Sequence, residues 1–174
     1  MAEITFISNK TRKETSKYFF IFVFAVITWI LQVAVFSRIL YFDAMPNLLL
    51  ISSIYLGIIF GPICGMFYGI TASFLSSNIS YDHVFYFSYP LAGLIAGLFT
   101  KNLFSDELLF FILLCFLFTF PFEFLNGWQY SLINPIKIMD RYLQIGFFSA
   151  LLNLFLSLFY YLIMKFITKK LNFR

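Results

Sequence analysis

The chain has 174 residues, of which 61% are apolar, 11% are charged and 27 are phenylalanine, and its mean hydropathy is +0.90. So little polar surface cannot cover so much apolar surface, which excludes a water-soluble domain of this size. The apolar runs recur from Tyr18 to Ile167, leaving no polar stretch long enough for a soluble domain on a single anchor, and the pattern is that of an all-α integral membrane protein.

Residues 1–17 form a basic segment ahead of the first apolar run, Tyr18–Ser37. That run has the ~20 residues a bilayer span needs and no Ala-x-Ala site follows it, so it reads as a retained helix and not as a cleaved signal peptide. Asp43, Pro46 and Asn47 mark a turn. The 31 residues from Asn47 to Ser77 are apolar or small, and as one straight helix they would measure ~46 Å, well beyond the ~30 Å hydrocarbon core. Gly61-Pro62 lies at the midpoint, where it frees φ and removes a backbone donor. A hairpin is expected there, joining a second helix (Asn47–Phe60) to a third (Ile63–Ser77).

The loop NISYDHVF precedes a fourth helix, Val84–Thr100. Ser105 is the expected N-cap of a fifth helix, Asp106–Leu125, with Asp106 and Glu107 set against the positive end of its dipole. Gly127, Pro135 and the Trp128/Tyr130 pair mark an interfacial loop before the sixth helix, Tyr142 to about Phe166. The membrane domain is thus 18–167, with a basic tail at 168–174. With six spans and the N-terminus inside, Lys10, Arg12, Lys13, Lys17, Lys101, Lys165, Lys169, Lys170 and Arg174 face the cytoplasm, nine of the twelve basic residues. Only Arg38, Lys137 and Arg141 fall outside, so the positive-inside rule favours an N-in, C-in protein of the bacterial cytoplasmic membrane. The net charge of +4 then meets anionic membrane lipid and not nucleic acid.

Groups able to do chemistry are few. His83 adjoins Asp82 in a loop, with no nucleophile or second carboxylate spaced to complete a catalytic set. Cys64 and Cys115 sit amid apolar neighbours and read as packing residues, not as a zinc site or a disulfide. Glu123 lies about one turn inside the apolar end of the fifth helix, where an ionisable group pairs or lines a cavity. Its candidate partners are Arg38 and Arg141. Gln32 and Asn153 are intramembrane polar groups expected to hydrogen-bond between helices. No phosphate loop, metal cluster or nucleophile motif appears, so neither an enzyme nor a cofactor is expected.

The strongest local signal is a ladder of small residues: Gly57, Gly61, Gly65 and Gly69, continued by Ser73 and Ser77, with a second Gly-x-x-x-Gly at Gly93 and Gly97. Membrane helices associate where small residues let backbones approach, since lipid is as apolar as any helix face. The ladder is read either as packing within one subunit or as a groove, at Gly65 and Gly69, for a partner's transmembrane helix.

Leu31-Gln32, MPNLLL at 45–50, GIIFGPICGMFYGI at 57–70 and YPLAGLIAGL at 89–98 together resemble the rod shape-determining protein MreD family. The resemblance covers Tyr18 to Lys101 and continues by hydropathy and length alone. Two departures are Ser73, where the family often has Asp, and Asp82-His83, where it has a loop glycine. The resemblance implies a non-enzymatic membrane scaffold of the cell-elongation complex, working beside a bitopic MreC-like protein, actin-like MreB, the glycosyltransferase RodA and a penicillin-binding transpeptidase. The rival is the six-helix substrate-binding component of energy-coupling-factor vitamin transporters, which this chain resembles in size, topology and expected fold, and whose ligand cavity Arg38, Asp82, His83, Glu123 and Arg141 would line. Against it, the first helix lacks the Ala-x-x-x-Ala face with which such proteins dock: Trp29 follows Ala25 by four residues, and Arg38 follows Ala34.

Overall fold

The computed structural model describes residues 9–77, 87–99, 107–133 and 138–170. Its regular elements are helices: α1 (Asn9–Ala34), a short 3-10 turn (Phe36–Arg38), α2 (Leu48–Phe60), α3 (Pro62–Ser77), α4 (Ser88–Phe99), α5 (Glu107–Ile133) and α6 (Ile138–Lys170). The described residues contain no strand, only an isolated bridge between Tyr41 and Ala44.

Six helices appear, but several boundaries move. α1 begins at Asn9, two turns ahead of the apolar run, because Lys, Arg and Glu favour helix although they do not favour lipid. It ends at Ala34, and Phe36–Arg38 tightens into the 3-10 turn. α5 runs through Gly127 and Trp128 to Ile133, well past the expected Leu125, and Pro121 lies within it. A lone glycine weakens a helix by ~1 kcal/mol and does not end it. α6 likewise runs from Ile138 to Lys170. The proposed cap at Ser105 and Asp106 and the Asp82-His83 loop lie outside the described residues.

Contacts set the direction of each helix. Lys17, early in α1, donates to the Phe60 carbonyl at the end of α2 (3.2 Å), and Gly97 near the end of α4 abuts Pro62 at the start of α3. At the other level, Gln32, Pro46, Asn47, Tyr89 and Asn153 meet. α5 climbs from Phe111, beside Tyr55, to Phe122, beside Tyr89, and α6 returns from Asn153 to Tyr160 and Tyr161, beside Tyr55. The six helices therefore alternate in direction between two levels, and the start of α1 and the end of α6 share one end of the bundle.

α2 is the axis. Its sequence, LLLISSIYLGIIF, has no polar stripe, and a helix apolar all round is a buried helix. Leu48 through Gly57 are all buried, and α1, α3, α4, α5 and α6 each pack on it. Outside, the bundle presents Phe19, Ile30, Ile63, Phe74, Leu98, Phe155, Phe159 and Phe166 to their surroundings. Inside lie Thr28, Ser52, Ser53, Thr119, Asn153 and Ser157. Large apolar side chains cover the outside as well as filling the core, and these hydroxyl and amide groups are drawn inside, which is the arrangement lipid selects.

Three helical stretches are long and apolar enough to cross a membrane: Thr15–Arg38, Leu108–Trp128 and Gln144–Ile167. The other three helices are shorter, α2 with 13 residues, α3 with 16 and α4 with 12. At 1.5 Å per residue they reach roughly 18–24 Å.

The small-residue ladder packs inside the subunit. A Cβ at Gly57 would collide with the Gly93 carbonyl oxygen; one at Gly65 would fall 2.6 Å from Gly57 Cα and from the same oxygen; one at Gly69 would strike the Pro90 backbone. From the other side, a Cβ at Gly93 would meet the Gly65 carbonyl at 2.5 Å, and one at Gly97 would meet Pro62 Cα at 2.5 Å. α2, α3 and α4 thus touch backbone to backbone, with Ser73 buried on the same helix. The groove expected at Gly65 and Gly69 for a partner's helix is occupied by α4, because two Gly-x-x-x-Gly faces in one chain fill each other. Gly61 is different: it has φ of +97° and open space around it, so it serves the hairpin and not the contact face.

Gly93→Ala is expected to lower stability by about 1–3 kcal/mol, because its methyl meets backbone that no rotamer change can move. Gly127, with nothing within 4 Å of its would-be Cβ, should gain ~0.5–1 kcal/mol on replacement by alanine. Thermal unfolding of the two variants in one detergent checks the contrast.

Candidate functional site

The first turn of any helix carries backbone N–H groups with no partner inside the helix, and a membrane interior offers no water to satisfy them. α2 begins where protein excludes water in the same way, with Leu48, Leu49 and Leu50 each no more than 4% exposed. Side chains from across the bundle supply the acceptors. Asn47 caps its own helix, its side-chain oxygen accepting from Leu50 N at 3.0 Å. The Asn47 N–H donates to Asn153 Oδ1 at 2.7 Å, and the Leu48 N–H to Gln32 Oε1 at 2.7 Å.

The other half of each amide is used as well. Gln32 Nε2 donates to the Pro46 carbonyl (3.0 Å), Asn47 Nδ2 to the Tyr89 hydroxyl (3.3 Å) and Asn153 Nδ2 to Thr119 Oγ1 (2.9 Å), which in turn donates to the Cys115 carbonyl (2.7 Å). Ser149 adds a longer bond to the Met45 carbonyl (3.4 Å). One node thereby joins α1, α2, α4, α5 and α6. A second polar contact fixes α4 from below, where Ser53 donates to the Tyr89 carbonyl at 2.7 Å. α1 is pinned to α3 by Thr28 and the Tyr68 hydroxyl, 2.6 Å apart.

Glu123 is half-buried on α5, close enough to Tyr89 for its charge to act on that hydroxyl, and its Cβ lies opposite Gly146 on α6. Arg38 is exposed in the 3-10 turn, and the side chain of Arg141 lies outside the described residues. Among the described residues no cluster of His, Cys, Asp or Glu is placed to hold a metal ion. Cys64 and Cys115 are buried free thiols. On the outer surface an apolar groove of about 360 Å³ runs between α3 and α4, floored by Ser73 and walled by Met66, Ile70, Phe74, Phe87 and Leu91.

The amino-acid pattern singles out Gln32 and Asn153 as interhelical groups, and the structure brings both to the head of α2. It does not point to Thr119 or Tyr89. Pro-Asn before an apolar run is an N-cap signature that marks Asn47, but nothing local pairs it with a residue 106 positions away. In comparisons with protein-family models, with curated proteins and with solved structures, nothing matches this chain.

What this arrangement does is hold helices in register. Each of its amides both donates and accepts, toward another helix or a buried backbone. Asn153→Leu keeps the volume but leaves the Asn47 N–H unsatisfied in an apolar site, and is expected to cost about 1–3 kcal/mol. Thr71→Ala, which removes only a local bond to the Tyr68 carbonyl, should stay within ~0.5 kcal/mol of the parent. Denaturation of the two variants in the same micelles separates the node from a hydroxyl that bonds only within its own helix.

Proposed function

We propose that this protein is a non-enzymatic membrane scaffold whose six helices all cross the bacterial cytoplasmic membrane with both ends inside, and that it serves the cell-elongation complex, organising lateral peptidoglycan synthesis and so maintaining rod shape. The observation that carries the structural half of this reading is the polar node. Gln32, Asn47 and Asn153, the intramembrane groups best suited to bind something polar, are engaged with one another's helices. The cellular half rests on the resemblance of residues 18–101 to the MreD family.

The alternation of the helices between two levels supports six crossings. Lys10, Arg12, Lys13 and Lys17 on α1 and Lys165, Lys169 and Lys170 on α6 lie toward one end of the bundle, which the positive-inside rule assigns to the cytoplasm. Since α4 fills the glycine ladder, a bitopic MreC-like partner has to meet the outward, lipid-facing side. MreB, RodA and a penicillin-binding transpeptidase complete the assembly in this reading, and no cofactor is required. Glu123 then closes an ion pair with Arg38 or Arg141 near the outer surface.

Reporter fusions after Arg174 should be active only for a cytoplasmic reporter, depletion should round rod-shaped cells, and the tagged protein should co-purify with the bitopic partner. Glu123→Gln should lower thermal stability while rods persist. An external C-terminus would sink the six-span topology. Saturable binding of a vitamin-like small molecule, abolished by Glu123→Gln, would overturn the scaffold in favour of the transporter component.

A further inference from the structure

The connection from α1 to α2 is apolar where a loop in water would be polar. Between Arg38 and Asn47 the chain reads ILYFDAMP, with Asp43 its single charge. Leu40 is 61% exposed, Tyr41 and Phe42 are each 55% exposed, and Ile39 and Met45 are exposed beside them. The patch continues the outward face at the end of α1, where Ile30, Leu31 and Val33 are exposed too.

Its depth follows from the polar node. The Gln32 side chain bonds both the Pro46 carbonyl and the Leu48 N–H, so a chain that leaves the apolar stretch Thr15–Arg38 at its end has returned by Pro46 to the level of Gln32. Six residues separate Gln32 from Arg38, which is roughly 9 Å at a helical rise of about 1.5 Å each. The headgroup layer on each side of the hydrocarbon is about 5–8 Å deep. The return therefore runs through that layer and not above it.

Backbone at that depth has little water to bond, and a tight turn answers the need locally. The Tyr41 N–H donates to the Ala44 carbonyl (2.9 Å) and the Ala44 N–H to the Tyr41 carbonyl (3.0 Å). Both residues between them, Phe42 and Asp43, have positive φ, +50° and +62°, the form of a two-residue type I′ turn. Asparagine and glycine suit such positions, and a phenylalanine there is strained. Its ring holds it, stacked on Phe148 of α6 with centroids 4.7 Å apart and planes at 18°, while Tyr41 packs edge-on against both rings. The strained turn sets two aromatic rings against α6 and leaves each half-exposed.

We propose that residues 39–45 form a re-entrant wedge seated in the headgroup–acyl boundary of the leaflet at the far end of α1, and that phospholipid covers its exposed aromatic and aliphatic side chains. Tyr41 suits that boundary, with an apolar ring and a polar tip, and Arg38 and Asp43, both exposed, stand where headgroups and water are within reach. This seat requires only that α1 cross a membrane, whatever part the protein plays in cell elongation.

Depth-dependent quenching of tryptophan in the full-length protein, reconstituted in nanodiscs, tests the seat. Trp29 and Trp128 are replaced by phenylalanine, and one reporter is placed by Leu40→Trp or, on the outward face of α6 six residues beyond Asn153, by Phe159→Trp. Lipid brominated near the top of its acyl chain should remove more of the Leu40→Trp emission than lipid brominated near the chain end, and aqueous acrylamide should remove little. Phe159→Trp should show the opposite depth order. Phe42→Asn keeps a residue that accepts the left-handed turn but loses the stack on Phe148, and should move the Leu40→Trp emission to longer wavelength and raise its quenching by acrylamide. Strong acrylamide quenching of Leu40→Trp without bromine quenching would place the connection in water, open to a partner's domain, and would overturn the wedge. Protection from both quenchers, which means protein over the patch, would overturn it equally, as would a depth order like that of Phe159→Trp. If brominated lipid fails to quench Phe159→Trp, the membrane reading itself falls and the wedge with it.

Discussion

The constraint on which the rest depends is the burial of a helix beginning. α2 starts among apolar side chains, so its leading N–H groups must find acceptors that are part of the protein. Asn47 supplies one from its own side chain, Gln32 another from α1 and Asn153 a third from α6. Because those acceptors stand on different helices, satisfying one helix end fixes the positions of the others. A generic demand of backbone chemistry thereby becomes a specific tertiary arrangement, and the apolar side chains around it are free to be large and interchangeable.

Small residues make the node reachable. With α3 and α4 backbone to backbone on α2 at Gly57, Gly65, Gly93 and Gly97, the axis and two of its neighbours form a narrow core. Side chains of ordinary length can reach across such a core. The Tyr89 hydroxyl bonds Asn47 while the Tyr89 carbonyl accepts from Ser53, so one α4 residue is held at both ends. Bulk at the glycines would widen the core and lengthen these bonds together. Packing and polar satisfaction are therefore one cooperative unit, not two additive contributions.

How much of this the amino-acid pattern discloses follows from the range of each interaction. The Gly61-Pro62 break, the six apolar helices and the four-residue spacing of the glycines are local, and they are legible because one stretch of chain carries the whole signal. Gln32 and Asn153 stand out because an amide in an apolar run needs a partner, though its identity does not show. The partner is long-range: Asn47 to Asn153 or Gly57 to Gly93. The ends of α5 and α6 were hidden for another reason. The glycine and aromatic residues near 127–130 look like an interface, but helix continuity there is decided by the backbone and not by hydropathy.

The lengths of the helices then acquire a physical meaning. α1, α5 and α6 exceed the ~30 Å core of a bilayer, whereas α2, α3 and α4 fall short of it at roughly 18–24 Å. For an isolated helix such a shortfall exposes backbone ends to hydrocarbon. For α2 it does not, because protein surrounds both its ends: the node holds its start, and Lys17 caps its last carbonyl while packing over the Phe60 ring. A helix encased in this way need match only the neighbours that cap it, not the bilayer. If all six helices cross, as we propose, the mismatch falls on α3 and α4, which face outward through Ile63, Phe74, Leu91 and Leu98. Thinning the bilayer locally along that side costs fractions of a kcal/mol per Å, whereas lengthening α3 and α4 would carry them past the glycine contacts that hold them to α2.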